Sequence, residues 1–339
     1  LQDENGKMPA LRDWEDILPV REWLYQTPQQ ILTKASNGAS DFGNKFGQPL
    51  IAGSVLTFEH QENGEKYAYD KVVMLAGGVG YGAKRDCLKK TPQPGNKVVV
   101  VGGDNYRIGL GGGSVSSVDT GRYSSGIELN AIQRANPEMQ KRAYNLVRAL
   151  VEEDENPVVS IHDHGSAGHL NCLSELVEDC GGRIDMDKLP IGDKTLSAKE
   201  IIANESQERM GLLIDEKYLD HVRRIAERER APMYVVGETT GDAHFSFVQK
   251  DGVKPFDLDV AQMFGHSPKT VMKDETVERK YADVTYDIAK IDDYVTRVLQ
   301  LEAVACKDWL TNKADRSVTG RVARQQCQGQ VQLPLSDCG

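Results

Sequence analysis

The six cysteines of this 339-residue chain are far apart in sequence, and no two of them form a C-x-x-C pair. Zinc sites usually take their ligands from closely spaced cysteines and histidines, and disulfide-stapled domains carry cysteines at short spacings. The scatter therefore argues against a zinc site and against a disulfide framework. It favours free thiols in a cytoplasmic protein.

Long apolar runs and an excess of positive charge are also absent. No uninterrupted apolar stretch approaches the roughly 18 residues that a membrane-spanning helix needs, and residues 1–4 do not open a signal peptide. The formal net charge of −10 argues against non-specific binding of nucleic acid, but it leaves room for a local basic pocket that binds a phosphorylated small molecule. We therefore expect no membrane partner and no nucleic-acid partner.

The common nucleotide-binding motifs are missing as well. Residues 77–82 are rich in glycine but lack the Gly-Lys-Ser/Thr ending of a P-loop. They do not fit the G-x-G-x-x-G pattern of a dinucleotide-binding loop either. These glycines alone therefore do not identify a nucleotide site.

The most informative stretch is an apolar, β-branched run at residues 158–161 that leads to Asp163 and is followed by Gly165 and Gly168. This order predicts a strand, a tight turn and the start of a helix, with Asp163 at the carboxyl end of the strand. A carboxylate there can bind a divalent metal, and free backbone N–H groups beside it can bind phosphate. The pattern alone favours a plainer alternative, in which Asp163 only caps the helix.

Two further segments contain polar or flexible residues next to predicted strands. A glycine-rich loop at residues 107–114 follows a buried strand at residues 97–102. Four glycines among five residues suit a loop whose N–H groups face an anion or whose backbone packs closely. A polar run at residues 204–209 leads into a strand at residues 211–214. Its carboxylate and amide groups either lie at a solvated strand end or line a ligand pocket.

The rest of the chain indicates how the domains are arranged. The turn at residues 92–95, with two prolines and a glycine, marks a domain boundary. An amphipathic helix is predicted at residues 136–150 and a charge-rich helix at residues 216–230. Residues 251–290 are polar and rich in turn signals. We predict that residues 95–250 form one α/β domain with a mixed sheet and helices packed mainly on one side.

Together these segments resemble one family, the large phosphoribosylformylglycinamidine synthases. The runs that carry the resemblance are Asn37-Gly38-Ala39 with Phe46-Gly47-Gln48-Pro49, Ile108-Gly109-Leu110-Gly111-Gly112-Gly113, Ile161-His162-Asp163 with Gly165 and Gly168, and Asn204-Glu205-Ser206-Gln207-Glu208-Arg209. The supporting runs are Gln133-Arg134 with Asn136-Pro137-Glu138-Met139, and Asp315-Arg316-Ser317-Val318-Thr319-Gly320.

The resemblance implies an α/β (α+β) fold similar to aminoimidazole ribonucleotide synthetase, in which an ATP-binding half precedes a second α/β half. Residues 1–94 would then be the end of a first ATP-binding domain, and residues 95–250 a complete C-terminal-type half. Residues 251–299 would be a linker, and residues 300–339 the truncated start of a second ATP-binding domain. We therefore expect the chain to be an internal fragment of the synthase region.

The resemblance also implies a reaction. In this family ATP phosphorylates the amide oxygen of formylglycinamide ribonucleotide, and ammonia taken from glutamine displaces the phosphate. The expected cofactors are ATP and Mg²⁺, and the expected partners are these small molecules and the missing domains of the same chain. The chain would thus be part of a cytoplasmic ligase of purine biosynthesis. The glutaminase domain and the upstream ATP loop lie outside the sequence, so we expect the fragment alone to be inactive.

Individual residues follow from the matched motifs. By resemblance Asp163 is a magnesium ligand of the catalytic site. Gln133, Glu205, Ser206 and Gln207 are contacts to the ribonucleotide substrate.

A second nucleotide site is implied at the end of the chain, where Asp337 is a magnesium ligand and Ser336 lies beside it. Two residues depart from the family pattern. His164 stands where the family often has a small or apolar residue, and His169 replaces a common glycine. The shape of the loop around Asp163 is therefore not predicted by the resemblance.

Two other functions remain as alternatives. One is another ATP-using synthetase or kinase of the same superfamily, and the other is a non-catalytic scaffold module. The combination of Gln133 with residues 205–207 favours the synthase over the first alternative. Binding of a ligand would distinguish the synthase from the scaffold.

Overall fold

The computed structural model describes the chain in three long stretches, residues 79–131, 136–206 and 208–276, and in several short ones. The short stretches are residues 30–31, 33–39, 54–56, 59–69, 73–75, 278, 280, 283–301, 304, 327–328 and 333–334. The chain divides into two compact units. One unit is Val79–His266, and the other combines Leu1–Gly78 with Ser267–Gly339.

The unit Val79–His266 is built on a seven-stranded mixed sheet. Its strands in chain order are β1 (Lys97–Val101), β2 (Val158–Asp163), β3 (Gly182–Asp185), β4 (Met210–Ile214), β5 (Met233–Thr239), β6 (His244–Val248) and β7 (Phe256–Asp259). Their order across the sheet is β7-β6-β3-β5-β1-β4-β2. Only β6 and β3 run parallel, and every other neighbouring pair is antiparallel.

Strand β1 lies inside the sheet and is apolar at four successive positions. Val98 and Val100 belong to the hydrophobic core on one face, and Val99 and Val101 belong to the core on the other. All four side chains are fully buried. Because successive side chains of a strand point to opposite faces, such a run requires cover on both faces of the sheet.

Helices provide this cover. The helices of the unit in chain order are α1 (Gly112–Ser116), α2 (Ser125–Asn130), α3 (Pro137–Val151), α4 (Gly168–Leu176), α5 (Ala198–Ile202), α6 (Leu219–Glu229) and α7 (Val260–Phe264). Helices α3 and α6 pack on the face of Val99, whereas α4 and α5 pack on the face of Val98. The expectation of helices mainly on one side is therefore wrong, since both faces of β1 are apolar.

Two helix starts agree with the sequence pattern. The side chain of Asn136 accepts a hydrogen bond from the backbone N–H of Met139 and caps α3, and Pro137 occupies the first turn. Ser197 and Glu200 form a complete capping box at the start of α5. Local capping signals therefore mark both of these helix starts.

The other unit is described in part. Strands Glu59–Glu62 and Glu65–Ala68 form a hairpin whose two turn residues, Asn63 and Gly64, both have positive φ, which is typical of an Asn-Gly turn. An amphipathic helix, α8, spans Ile291–Gln300. No helix among the residues that the structure describes has the length and apolar character required to cross a membrane.

Candidate functional site

Three loops meet at one edge of the sheet. We call residues 102–113 the glycine loop, residues 163–169 the aspartate loop and residues 204–209 the polar loop. The glycine loop follows the end of β1, the aspartate loop follows the end of β2, and the polar loop precedes β4. Because β4 lies between β1 and β2 and is antiparallel to both, these two ends and this start fall at the same edge. Met210 accordingly pairs with Val101 on one side and Asp163 on the other.

The glycine loop packs closely against the other two loops. A β-carbon added at Gly109 or Gly112 would collide with Glu205, and one added at Gly113 would collide with the hydroxyl of Ser166. Gly109 also has a φ of +77°, which L-residues rarely adopt. These glycines therefore allow the backbone to pack closely against the other loops. Close packing is one of the two explanations that the sequence offered for them.

Backbone hydrogen bonds fix the polar loop to both neighbours. The N–H of Glu205 donates to the carbonyl of Gly109 at 3.0 Å. The N–H of Ser206 donates to the carbonyl of His164 at 2.9 Å. The three loops thus form one hydrogen-bonded assembly, although they are far apart in sequence.

A buried polar network lies beneath this assembly. Arg209, which is fully buried, places its guanidinium 3.1 Å from Nε2 of His169 and donates to both oxygens of Asn204 at 2.6 Å. Nδ1 of His169 lies 2.9 Å from Nε2 of His164. Burial, and after it the positive charge of Arg209, holds the pKa of both histidines well below the ordinary value. Both rings are therefore neutral at physiological pH.

Asp163 is the last residue of β2 and is exposed, so its predicted position at the end of a strand is confirmed. Helix α4 begins after Ala167, and no side chain caps it. The alternative in which Asp163 only caps this helix is therefore wrong. A β-carbon on Gly165 would lie 2.8 Å from Oδ1 of Asp163, so the glycine leaves space for the carboxylate. The role of Asp163 as a metal ligand stays a prediction.

The predicted substrate contacts are only partly described. Glu205 and Ser206 are 6% and 3% exposed, so both are more buried than a solvated strand end would make them. The hydroxyl oxygen of Ser206 has no hydrogen-bond partner in the part of the chain that the structure describes. Gln133 and Gln207 lie outside the described residues.

Ser336 and Asp337, which are predicted to form a second nucleotide site, also lie outside the described residues. Around Asp163, no group of three or more histidine, cysteine or carboxylate side chains is close enough to hold a metal ion within the described part of the chain. A single exposed carboxylate fits Mg²⁺, which usually takes few protein ligands and completes its octahedron with phosphate oxygens and water.

The network of His164, His169, Asn204 and Arg209 was not predicted as part of a site. The sequence offered one signal for it, namely that both histidines depart from the family pattern. A separate open cavity of about 560 Å³ is lined by Asp104, residues 187–191 and residues 233–235. It includes none of the predicted site residues.

Comparisons with known proteins agree with this architecture. Residues 93–250 match the family model described as AIR synthase related protein, C-terminal domain. All three loops of the site lie within this range. A protein from Dictyostelium discoideum named phosphoribosylformylglycinamidine synthase is 39% identical over 323 residues, which are 91% of this chain and 24% of that protein. The chain spans about a quarter of the length of the curated relatives that it matches.

Two solved structures share the fold. "T. maritima PurL complexed with FGAR" has a TM-score of 0.56 and 24% identity, and the match covers 74% of this chain and 40% of that chain. "T. maritima PurL complexed with ATP" has a TM-score of 0.54 and 22% identity, with 76% and 40% covered. The predicted fold class, a mixed sheet with helices in an aminoimidazole ribonucleotide synthetase-like domain, is confirmed.

Proposed function

We propose that this chain, which matches phosphoribosylformylglycinamidine synthases over nearly its whole length, is the part of such a synthase that carries the catalytic Asp163 loop. The reaction converts formylglycinamide ribonucleotide, glutamine and ATP to formylglycinamidine ribonucleotide. The amide oxygen of the substrate is phosphorylated, ammonia attacks the resulting iminophosphate carbon, and phosphate leaves. The enzyme is a C–N ligase of purine biosynthesis, and we place it in the cytoplasm because its cysteines are scattered.

The observation that carries the proposal is the identity of 39% over 323 residues to a protein of that name. The match includes the glycine, aspartate and polar loops, which the fold brings to one sheet edge. The proposed small-molecule partners are supported by a separate comparison, since proteins of this fold have been solved in complex with FGAR and with ATP.

The polar loop and the aspartate loop have separate tasks in the proposed mechanism. Glu205 and Ser206 of the polar loop, with Gln207 and Gln133, bind the ribonucleotide and hold its amide in place. Asp163 is exposed at the end of β2, where its carboxylate would hold Mg²⁺. The metal, when bound, supplies positive charge that offsets the charge developing on the transferred phosphoryl group. In the second nucleotide site, Asp337 would hold Mg²⁺ beside Ser336.

A chimera tests the proposal. The 339 residues replace the matching segment of the Dictyostelium relative, so that the remaining domains come from that protein. We expect the chimera to form the amidine product from formylglycinamide ribonucleotide, glutamine and ATP, as the parent protein should. Product formation would be measured by mass spectrometry.

A folded but inactive chimera beside an active parent protein would contradict the proposal. If that chimera also failed to bind formylglycinamide ribonucleotide and ATP in calorimetry, the scaffold alternative would be favoured. If it bound ATP and transferred its phosphoryl group to another substrate, the related synthetase or kinase would be favoured.

A further inference from the structure

Hydrogen-bond donors and acceptors in the buried network have only one consistent arrangement. An arginine guanidinium donates hydrogen bonds and cannot accept them. Nε2 of His169, 3.1 Å from Nη1 of Arg209, must therefore be an acceptor without a proton. A neutral imidazole carries one proton, so the proton of His169 is on Nδ1.

The same reasoning extends to the next ring. Nδ1–H of His169 lies 2.9 Å from Nε2 of His164, so this nitrogen is also an acceptor. The proton of His164 is then on its own Nδ1. This atom has no hydrogen-bond partner in the part of the chain that the structure describes. Donation thus runs in one direction, from Arg209 to His169 to His164. The reverse direction would leave His169 without any ring proton, as an anion.

These residues connect all three loops. Asn204 accepts from Arg209 and donates its side-chain N–H groups to the carbonyls of Tyr106 and Ile108 in the glycine loop. His164 directly follows Asp163, and its carbonyl accepts from the N–H of Ser206. The orientation of the His164 ring is therefore coupled to the backbone that presents Asp163.

We propose that this one-directional chain of hydrogen bonds is the positioning device of the site, and that His164 and His169 are positioning residues that hold Asp163 and Ser206 in register. The required chemistry is specific. His164 must accept a hydrogen bond from His169 at the position of Nε2. His169 must accept a hydrogen bond from Arg209 and donate one to His164. Its consequence for catalysis rests on the proposed function, whereas its consequence for the loops does not.

The first test measures the unaltered 339-residue chain and uses variants only to assign its signals. In a long-range ¹H–¹⁵N spectrum of the chain labelled with ¹⁵N-histidine, we expect two neutral rings that carry the proton on Nδ1. Their signals are assigned by their loss in His164→Gln and His169→Asn. A proton on Nε2 of either ring, or a charged ring at neutral pH, would overturn the proposal.

The second test compares two replacements of His164. The side-chain oxygen of Gln can accept at the place of Nε2, whereas Leu has a similar size and no acceptor. His164→Leu leaves the Nδ1–H of His169 buried without a partner. We expect the amides of Glu205 and Ser206 to exchange about tenfold faster or more in His164→Leu, with little change in His164→Gln.

Amides of β1 report on stability away from the loops, and they should exchange as in the unaltered chain in both variants. Equal acceleration of loop and β1 amides in His164→Leu would assign the histidine to general stability and overturn the proposal. Unchanged loop amides in both variants would overturn it as well. If His164→Leu does not fold, the ¹⁵N spectrum of the unaltered chain decides alone.

Activity is measured in the chimera with the Dictyostelium segments. His164→Gln should keep kcat within about twofold of the unaltered chimera, and His164→Leu should lower kcat by about tenfold or more with a smaller change in KM. Equal kcat values for the two variants would overturn the catalytic part of the proposal. An inactive unaltered chimera would instead contradict the proposed function, and the exchange and tautomer measurements would still test the positioning device.

Discussion

At the residue scale, the site combines an exposed acid with two neutral histidine rings that are buried beneath it. Asp163 makes no helix cap and lies at the surface, whereas His164 next to it is buried. An exposed carboxylate can exchange bound water for a ligand. A buried neutral ring can orient the loop through its hydrogen bonds without adding a second charge.

Asp163→Asn tests the proposed metal ligand. In the chimera we expect turnover to fall by about 10²-fold or more, because the neutral amide binds Mg²⁺ weakly and one electrostatic stabiliser is lost. Steady-state kinetics at saturating ATP measures the effect. Asp220→Asn, an exposed aspartate on α6, is the matched control and should leave turnover unchanged. Nearly intact turnover in Asp163→Asn would exclude the metal role.

The buried histidines predict how the stability of the chain depends on pH. Their folded-state pKa lies well below the ordinary value, so below about pH 6.5 the unfolded chain binds protons that the folded chain does not. Above this pH, the two histidines should not lower the free energy of unfolding. It should fall by up to about 1.4 kcal/mol per pH unit for each histidine as the pH decreases towards the folded-state pKa.

Amide exchange of β1 between pH 7 and about pH 5.5, corrected for the intrinsic rate, measures this dependence. The double variant His164→Gln/His169→Asn cannot titrate there, and its stability should change less over the same range. Identical slopes for the two proteins would show that these rings do not control the dependence.

Sequence reasoning reached some of these residues and missed others for a physical reason. A β-branched run before Asp163 and the glycines after it are local signals, and they placed the carboxylate correctly. The contact between His169 and Arg209 depends on the register of β2 against β4, which no local pattern contains. The burial of Glu205 was missed similarly, because it depends on the approach of the glycine loop.

At the element scale, the sheet explains both a success and an error. The strands and the capped helix α3 follow from apolar runs and caps, which are local properties. The number of sheet faces that helices cover does not follow from local properties, because it depends on which strand lies inside the sheet. Strand β1 has neighbours on both sides and valines on both faces, so α4 was needed opposite α3.

Gly168→Ala tests the junction between α4 and the polar loop. Gly168 has a φ of +55°, and a β-carbon there would collide with the backbone of Asn204. We expect a loss of about 2 kcal/mol or more in the free energy of unfolding, measured with urea and circular dichroism. Gly252→Ala is the matched control, since Gly252 has a φ of +85° and nothing within 4 Å. It should cost only about 1 kcal/mol. Equal losses would show that the contact with Asn204 is unimportant.

At the scale of the whole molecule, the described site lies within one unit. The three loops belong to Val79–His266 and to the family match at residues 93–250. The predicted boundaries at residues 94, 250 and 299 stay predictions. The chain spans about a quarter of the length of its curated relatives.

The 339-residue chain alone should therefore form no amidine product from formylglycinamide ribonucleotide, glutamine and ATP. The family resemblance implies that the glutaminase domain and the upstream ATP loop lie outside these 339 residues, and positioning by such parts supplies much of the rate. The assay is mass spectrometry of the product, with the complete Dictyostelium relative as the positive control. Measurable turnover by the chain alone would refute this expectation.

The pairing of β1 also affects how a new polypeptide acquires its shape. Val99 pairs with Leu212 and with Val235, both more than a hundred residues later in the chain. A ribosome delivers the chain from its N-terminus, so β1 emerges long before either neighbour has been made. Contacts between such distant residues form slowly, and apolar strands stay unpaired in the meantime. The three loops can therefore meet only after β4 has been synthesised, so a nascent chain that ends before Met210 cannot yet contain the site.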